Sequence, residues 1–440
     1  MKQSDTIQRV RPPGSRLPGI LQTALWAKDP WLYAQRARTR YGPIFSANMY
    51  PFGEVVYVSD PDAIRRILTI DAPKFATGEA NRAIEFVVGP RSLLMLDGED
   101  HKRLRRNLTP IFHGPNVENY LDVIRSIIDA EVSRWRPGST VTLLPRIQAI
   151  SMEVMIQAVF GVREPARLNR LRRLVPQLLS MNPLLILFPV LRRSFFGVGP
   201  WAGFVRIRNE LDEILYAEIR QRRRSLDYQG SDALSLLLQD SADGLALSDA
   251  EIRDNAITLL AVGHETTSVA TSWFFERVLQ HPDVLRRLNS ELANDDTTYL
   301  DATISETLRI RPPTMDVGRI LQEPHLVGGY RFDAGTMFAL SLATLHSSED
   351  SYPDPDVFRP ERFLENPPDR GRFLPFGGGR HRCIGSSLAI VEMRAIVTNV
   401  LSSTELRPVS AGEKMRPRGP MMVPEQAASA EVISNRLYRG

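Results

Sequence analysis

With 440 residues, 43% of them hydrophobic, the chain can bury a large core, and its formal net charge is only +4. That near balance, and the lack of aromatics among arginine clusters such as residues 220–224, excludes a nucleic-acid binder. One cysteine, Cys383, excludes an intrachain disulfide and a multi-cysteine zinc site and fits a reducing cytoplasm.

The first residues carry no apolar run that could act as a signal or anchor. The longest apolar stretch, LLILFPVL at residues 184–191, is far short of the ~20 residues a span requires and reads as core, so no transmembrane segment and a cytoplasmic location are expected. Strand-like residues 45–58 are followed by LDGEDHKRLRRNLTPIF at 96–112, where His101 and Arg105 stand four apart and share a helix face. Helix-period patterning covers 117–135 and 205–224.

It covers 249–280 as well, where Ser248 and Glu251 have capping-box spacing and His281-Pro282 supplies the stop. A helix of about 32 residues would span ~48 Å, enough to cross a domain. Inside it lies AVGHETTSVATSW, residues 261–273. Gly263 costs a helix interior up to about 1 kcal/mol, and Thr266 and Thr267 add smaller penalties. Two readings stand there: small residues that let another element approach closely, or a local opening of the hydrogen-bond ladder where Thr266 and the Glu265 carboxylate hold water and pass protons.

Further along, SETLR puts Glu306 and Arg309 on one helical face, and FRPERF supplies Arg362 to complete a Glu-Arg-Arg cluster. Strand-like residues 319–338 and 405–423 complete a mainly α chain with small β-sheets. With no repeat and no long linker, it reads as one domain over 1–440, with 1–11 and 425–440 as flexible ends.

Cys383 sits in FGGGRHRCIG, residues 376–385. It can be a small buried hydrophobe, a hydrolase nucleophile using His381, or a metal-ligating thiolate. Flanking cations and the helix expected after Gly385 favour the thiolate, and the glycines let backbone pass close beneath a flat, bulky ligand.

These four pieces in this order closely resemble the cytochrome P450 family of haem-thiolate monooxygenases. The family's cysteine loop is matched by Phe376, Gly379, His381, Cys383 and Gly385, its Glu-x-x-Arg by Glu306 and Arg309, its Pro-Glu-Arg-Phe by residues 360–363, and its oxygen-binding motif by residues 263–267; the likeness runs from Pro12 to Pro424. The resemblance implies the P450 fold, haem b, and O2 as co-substrate. It makes Cys383 the iron ligand with Phe376 packed beside the sulfur, and it assigns His101, Arg105, Arg319 and His381 to the haem propionates. Glu306, Arg309 and Arg362 become structural, Thr266 a partner of the bound oxygen, and Glu265 a proton relay. A soluble bacterial monooxygenase is implied; a haem-thiolate gas sensor would need Cys383 but not the Glu265–Thr266 relay.

One departure is Val262, where the family usually has Ala or Gly. It is expected to narrow the distal pocket and bias the position of oxidation. By position in the family, substrate would meet Phe86, Val87, Leu184, Val262, Met315, Asp316, Val317 and Met421, a mostly apolar set that suits a fatty acid, terpenoid or steroid. Electrons would come from a separate ferredoxin or flavodoxin and its reductase, met by Lys102, Arg103, Arg106, Arg380 and Arg382, and the protein is expected to be a monomer.

Overall fold

The computed structural model describes residues 11–162, 164–182, 184–193, 197–224, 232–239, 246–366, 369 and 371–438. Residues 1–10 and 439–440 of the expected flexible ends lie outside the described residues. The chain forms two compact units, each discontinuous in sequence.

The first unit takes the described residues of Met1–Asn81, Thr314–Val357 and Pro368–Arg382. Its centre is a five-stranded sheet. The hairpin Ile44–Met49/Gly53–Val58 pairs in parallel with Met337–Ser341, which pairs antiparallel with Asp316–Leu321, and Phe75–Ala76 closes the edge. Successive strand residues point to opposite faces, so VVYV divides between two cores. Val56 and Val58 join Phe338, Leu340 and the helix residues Ile64 and Ile67, while Val55 and Tyr57 join Phe45, Ala339 and Ala37. The helix Pro61–Leu68 starts where Asp60 accepts from the Ala63 amide at 2.7 Å and proline fills the first position.

The second unit takes Arg82–Pro313, Phe358–Pro367 and the chain from Cys383. It is mainly helical, with a hairpin Met415–Arg418/Met421–Pro424 and a three-stranded sheet. That sheet corrects one expectation: residues 425–440 are not simply a flexible end, because Ser429–Asn435 is the central strand between Thr140–Thr142 and Thr404–Pro408. Its alternating Ala430 and Val432 are buried, and pairing partners on both edges satisfy the backbone of a segment too short and polar to read as a strand.

The long helix expected over 249–280 is two helices, Asp249–Gly263 and Glu265–Leu279, separated at His264. Its start is as expected: the Ser248–Glu251 capping box is formed in both directions. Trp273, Phe274 and Phe275 are buried together with Ser268, Thr271 and Ser272. The hydroxyls tolerate burial because each donates to a carbonyl four residues back, at 2.6, 2.8 and 2.7 Å.

Candidate active site

In the second unit, the break at His264 opens an otherwise buried rod. Val262 is 40% exposed, an apolar side chain among the half-buried Ala261, Gly263, Glu265 and Thr266. Thr266 Oγ1 donates to the Val262 carbonyl at 3.2 Å, so its proton is committed and its lone pairs remain to accept. His264 itself is buried, with Nδ1 at 2.9 Å from the Leu260 carbonyl. Burial above all, with Arg418 adding to it, pushes its pKa down to about 4 against the pull of that hydrogen bond. It is therefore neutral at pH 7.

Both readings of Gly263 have support. A side chain there would meet Met155 Cε at 2.8 Å, a contact a flexible methionine can yield, and Met155 opens the π-helical turn Met155–Val159. The ladder is broken at the next residue. Sequence reasoning missed the partner of Glu265: its Oε1 lies 2.8 Å from Arg418 Nη2, brought in by the strand Met415–Arg418. No local pattern could announce a contact between residues so far apart in sequence.

His101 and Arg105 lie on the helix Gly98–Leu108, with His101 buried in the inward stripe that includes Leu104 and Leu108 and Arg105 half-buried. The helix face carrying this pair is thus not a solvated basic one. Lys102 and Arg106 are exposed. Two cations of the expected docking surface carry local carboxylates: Arg103 Nη2 lies 2.5 Å from Glu251 and Lys102 Nζ lies 3.2 Å from Glu99.

Cys383 is exposed and stands three residues before the helix Ser386–Ser403, which begins after Gly385 as expected. A side chain at Gly385 would meet open space. The loop residues before Cys383 belong to the first unit, where Gly379 has φ +66° and any Cβ would collide with the Leu68 carbonyl, so only glycine fits. Phe376 is half-buried there, and the Arg382 guanidinium stands 5.9 Å from its ring centroid. Arg319 is buried in the strand Asp316–Leu321.

Glu306, Arg309 and Arg362 do come together. Arg309 donates Nε and Nη2 to the Glu306 carboxylate at 2.7 and 2.9 Å, Arg362 Nε donates at 3.0 Å, and the Arg359 amide adds a fourth bond at 2.9 Å. Glu306 and Arg309 are wholly buried.

The expected substrate residues fare unevenly. Phe86 meets Phe204 edge-on and Trp201 at a tilt, with ring centroids 5.1 and 5.8 Å away, under the Arg192 guanidinium at 4.1 Å, while Val87 is buried and Leu184 exposed. The loop that follows is pinned to the helix Asp249–Gly263: Asp254 accepts from the Arg91 amide, Asn255 accepts from the Leu93 amide, and Thr258 donates to Ser92. Those three buried polar residues on one helix face were the legible signal that sequence reasoning passed over. Met421 packs in a core with Leu144, Val269 and Trp273.

In the first unit Met315 is buried, and Asp316 and Val317 point to opposite sheet faces, so they cannot line one surface as expected. Val317 packs with Val58 and Leu340, whereas Asp316 shares a face with Ser341 and Tyr57. Burial pushes the Asp316 carboxyl up to about 6, with Ser341 pulling it back, and its Oδ1 has no hydrogen-bond partner.

The cytochrome P450 family profile matches residues 12–432. Cytochrome P450 135B1 of Mycobacterium tuberculosis is 36% identical over 434 residues, covering 97% of this chain and 92% of the relative. Cytochrome P450 135A1 of the same organism is 32% identical over 445 residues, covering 99% and 98%, and cytochrome P450 138 of Mycobacterium bovis is 32% identical over 418 residues, covering 94% of each. The solved structure of retinoic acid bound cyanobacterial CYP120A1 superposes with a TM-score of 0.83 at 24% identity, over 96% of this chain and 99% of that one, which fixes the fold.

Proposed function

The chain belongs to the cytochrome P450 family, and from that premise we propose that it inserts one oxygen atom from O2 into a lipophilic small molecule of the fatty acid, terpenoid or steroid kind. Haem b is its cofactor and the enzyme is a monooxygenase oxidoreductase in general terms. The residues of this chain fit that group. The only thiol is exposed ahead of a helix N-terminus whose amides favour the thiolate, and the stripe of the Gly98–Leu108 helix carries a buried histidine and an arginine suited to propionates. Bound through Cys383, the haem supplies oxygen activation, and a thiolate ligand pushes electron density that favours O–O cleavage.

In this proposal the protein's own work is positional. Cys383 ligates; His101, Arg105, Arg319 and His381 hold the propionates; Phe376 shields the sulfur; Gly385 leaves room. Glu306, Arg309 and Arg362 fix the supporting structure. Thr266, whose proton is engaged by the Val262 carbonyl, accepts a hydrogen bond from water and orients it, and Glu265 carries protons in once it leaves Arg418. His264 is not a proton donor at pH 7, because burial keeps it neutral.

The observation that carries the substrate class is the exposed Val262 at the helix opening. An apolar side chain presented there selects an apolar substrate and, being larger than the usual residue, biases the site of attack. The fold neighbour holds retinoic acid, a molecule of this lipophilic kind, which makes it a sensible first ligand. Electrons are supplied by a separate acidic ferredoxin or flavodoxin with its reductase, meeting the exposed Lys102 and Arg106. No helix among the described residues is long and apolar enough to cross a membrane, and we take the working form as a cytoplasmic monomer over a single 1–440 domain.

The test is the absorption spectrum of reduced, carbon monoxide-treated protein beside Cys383→Ala and Cys383→His, then titration with retinoic acid, a long-chain fatty acid and a steroid. Loss of the red-shifted Soret band in both variants supports the ligand assignment; a spectrum indifferent to them overturns it. No spin-state response to any of the three removes the substrate class.

A further inference from the structure

The helix Gly19–Lys28 of the first unit is inside out. Its buried residue is a glutamine: Gln22 is 1% exposed, donating to the Leu17 carbonyl at 2.7 Å and accepting from the Asn48 amide and the Tyr33 hydroxyl at 3.2 Å each. Its large aliphatic residues face outward. On the helix, Ile20, Leu21 and Leu25 are 67, 51 and 51% exposed, and Leu17, just before the helix, is 48% exposed. The Tyr50 amide donates to Thr23 Oγ1 at 2.8 Å, which brings the tip of the first hairpin beside this helix, and there Tyr50 and Phe52 are 53 and 57% exposed. Single exposed apolar residues are ordinary; six on two adjoining elements make a patch that calls for a partner.

The rim identifies the partner. Arg16 precedes these residues and Lys28 closes the helix, both exposed and neither ion-paired among the described residues, with Arg11 exposed nearby in sequence; the one exposed carboxylate at the hairpin tip is Glu54. A second copy across a two-fold axis would bring these cationic rims against each other. The ten residues MKQSDTIQRV that precede the patch are mostly polar and bring Lys2 and Arg9 against Asp5, so they add positive charge rather than an apolar cover. An apolar patch, aromatic tips and a basic rim together match the boundary of an anionic bilayer.

We propose that this face seats the protein on an anionic lipid surface, with Leu17, Ile20, Leu21, Leu25 and Phe52 in the acyl boundary and Arg16 and Lys28 at the headgroups. A ten-residue helix is ~15 Å long, so it lies on the bilayer rather than crossing it. Flotation of the full haem-loaded chain with vesicles of phosphatidylcholine, and with an equal mixture of phosphatidylcholine and phosphatidylglycerol, tests this. The expected result is capture by the mixed vesicles, weakened by salt, and lost by roughly tenfold or more in Ile20→Glu/Leu21→Glu, whose exposed substitutions leave the haem spectrum and the melting temperature unchanged. Arg16→Glu/Lys28→Glu should abolish the preference for the anionic vesicles. Equal recovery of wild type and Ile20→Glu/Leu21→Glu, or no capture at all, overturns the proposal. So does a concentration-dependent dimer that the Ile20→Glu change dissolves, which would give the face to a second copy.

Discussion

Two carboxylate–guanidinium clusters in the second unit use the same chemistry to opposite ends. Glu306 is multiply held: two arginines and a backbone amide supply four hydrogen bonds, three of them to Oε1 and one to Oε2. Glu265 meets one arginine at one 2.8 Å contact, at a partly exposed site, and Arg418 Nε and Nη2 are buried without a well-aligned hydrogen bond. A buried pair held by several hydrogen bonds is costly to break; an under-satisfied pair can change partners at small cost. The first is built to hold and the second to exchange.

Removing one member of the multiply held cluster should have the largest effect. Arg309→Leu leaves the Glu306 charge buried and is expected to cost about 3–5 kcal/mol, read by chemical denaturation, with Arg362→Ala costing less because Arg309 still covers the carboxylate. A loss under about 1 kcal/mol for Arg309→Leu would end the distinction drawn here.

A second buried acid sharpens it. Glu392, on the helix Ser386–Ser403, has no cationic partner among the described residues; burial pushes it from the ordinary 4.5 up to about 7, with the Ser151 hydroxyl opposing. Because the folded chain holds this proton more tightly than the unfolded one, its contribution to stability is full below pH 4.5, declines as pH rises to about 7, and is flat above. Glu392→Gln should remove that decline and raise stability at pH 8 relative to wild type by at most about 3 kcal/mol, measured as denaturation midpoints across pH. His264 works in the other direction: its pKa is depressed from 6.5 to about 4, so its contribution is lost as pH falls through that window.

Effects at the second cluster should fall on chemistry rather than stability. Glu265→Gln is expected to lower product formed per electron consumed roughly ten- to a hundred-fold, with a larger solvent isotope effect and under about 1 kcal/mol of destabilisation. Arg418→Gln frees the carboxylate. It should leave the melting temperature within a few degrees while shifting the pH profile of coupling, and Arg418→Lys should restore much of it. The smallest effect is reserved for Val262→Ala, which is expected to alter the ratio of oxidation products with little change in total turnover.

Much of this arrangement was legible. The capping box at Ser248, the break near Gly263, the Glu306–Arg309 face and the helix after Gly385 are all short-range, set by spacings of three or four residues that a helix turns into contacts. Val262 could be singled out because a motif position was occupied by an unusual side chain. Less legible were Asp254, Asn255 and Thr258: their polarity on a buried face was visible, but the amides of Arg91 and Leu93 and the Ser92 hydroxyl that use them were not.

By itself, the sequence determined the family, the thiolate candidate and the local helices, because these depend on residue chemistry and near-neighbour spacing. Tertiary structure alone decided that Arg418 meets Glu265, that Met421 is core, that Asp316 and Val317 look opposite ways, that Ser429–Asn435 is a strand, and that Gln22 is buried while Ile20 is not. Each depends on a surface supplied by residues distant in the chain, and the free energy of burial is settled by that surface rather than by the residue buried against it.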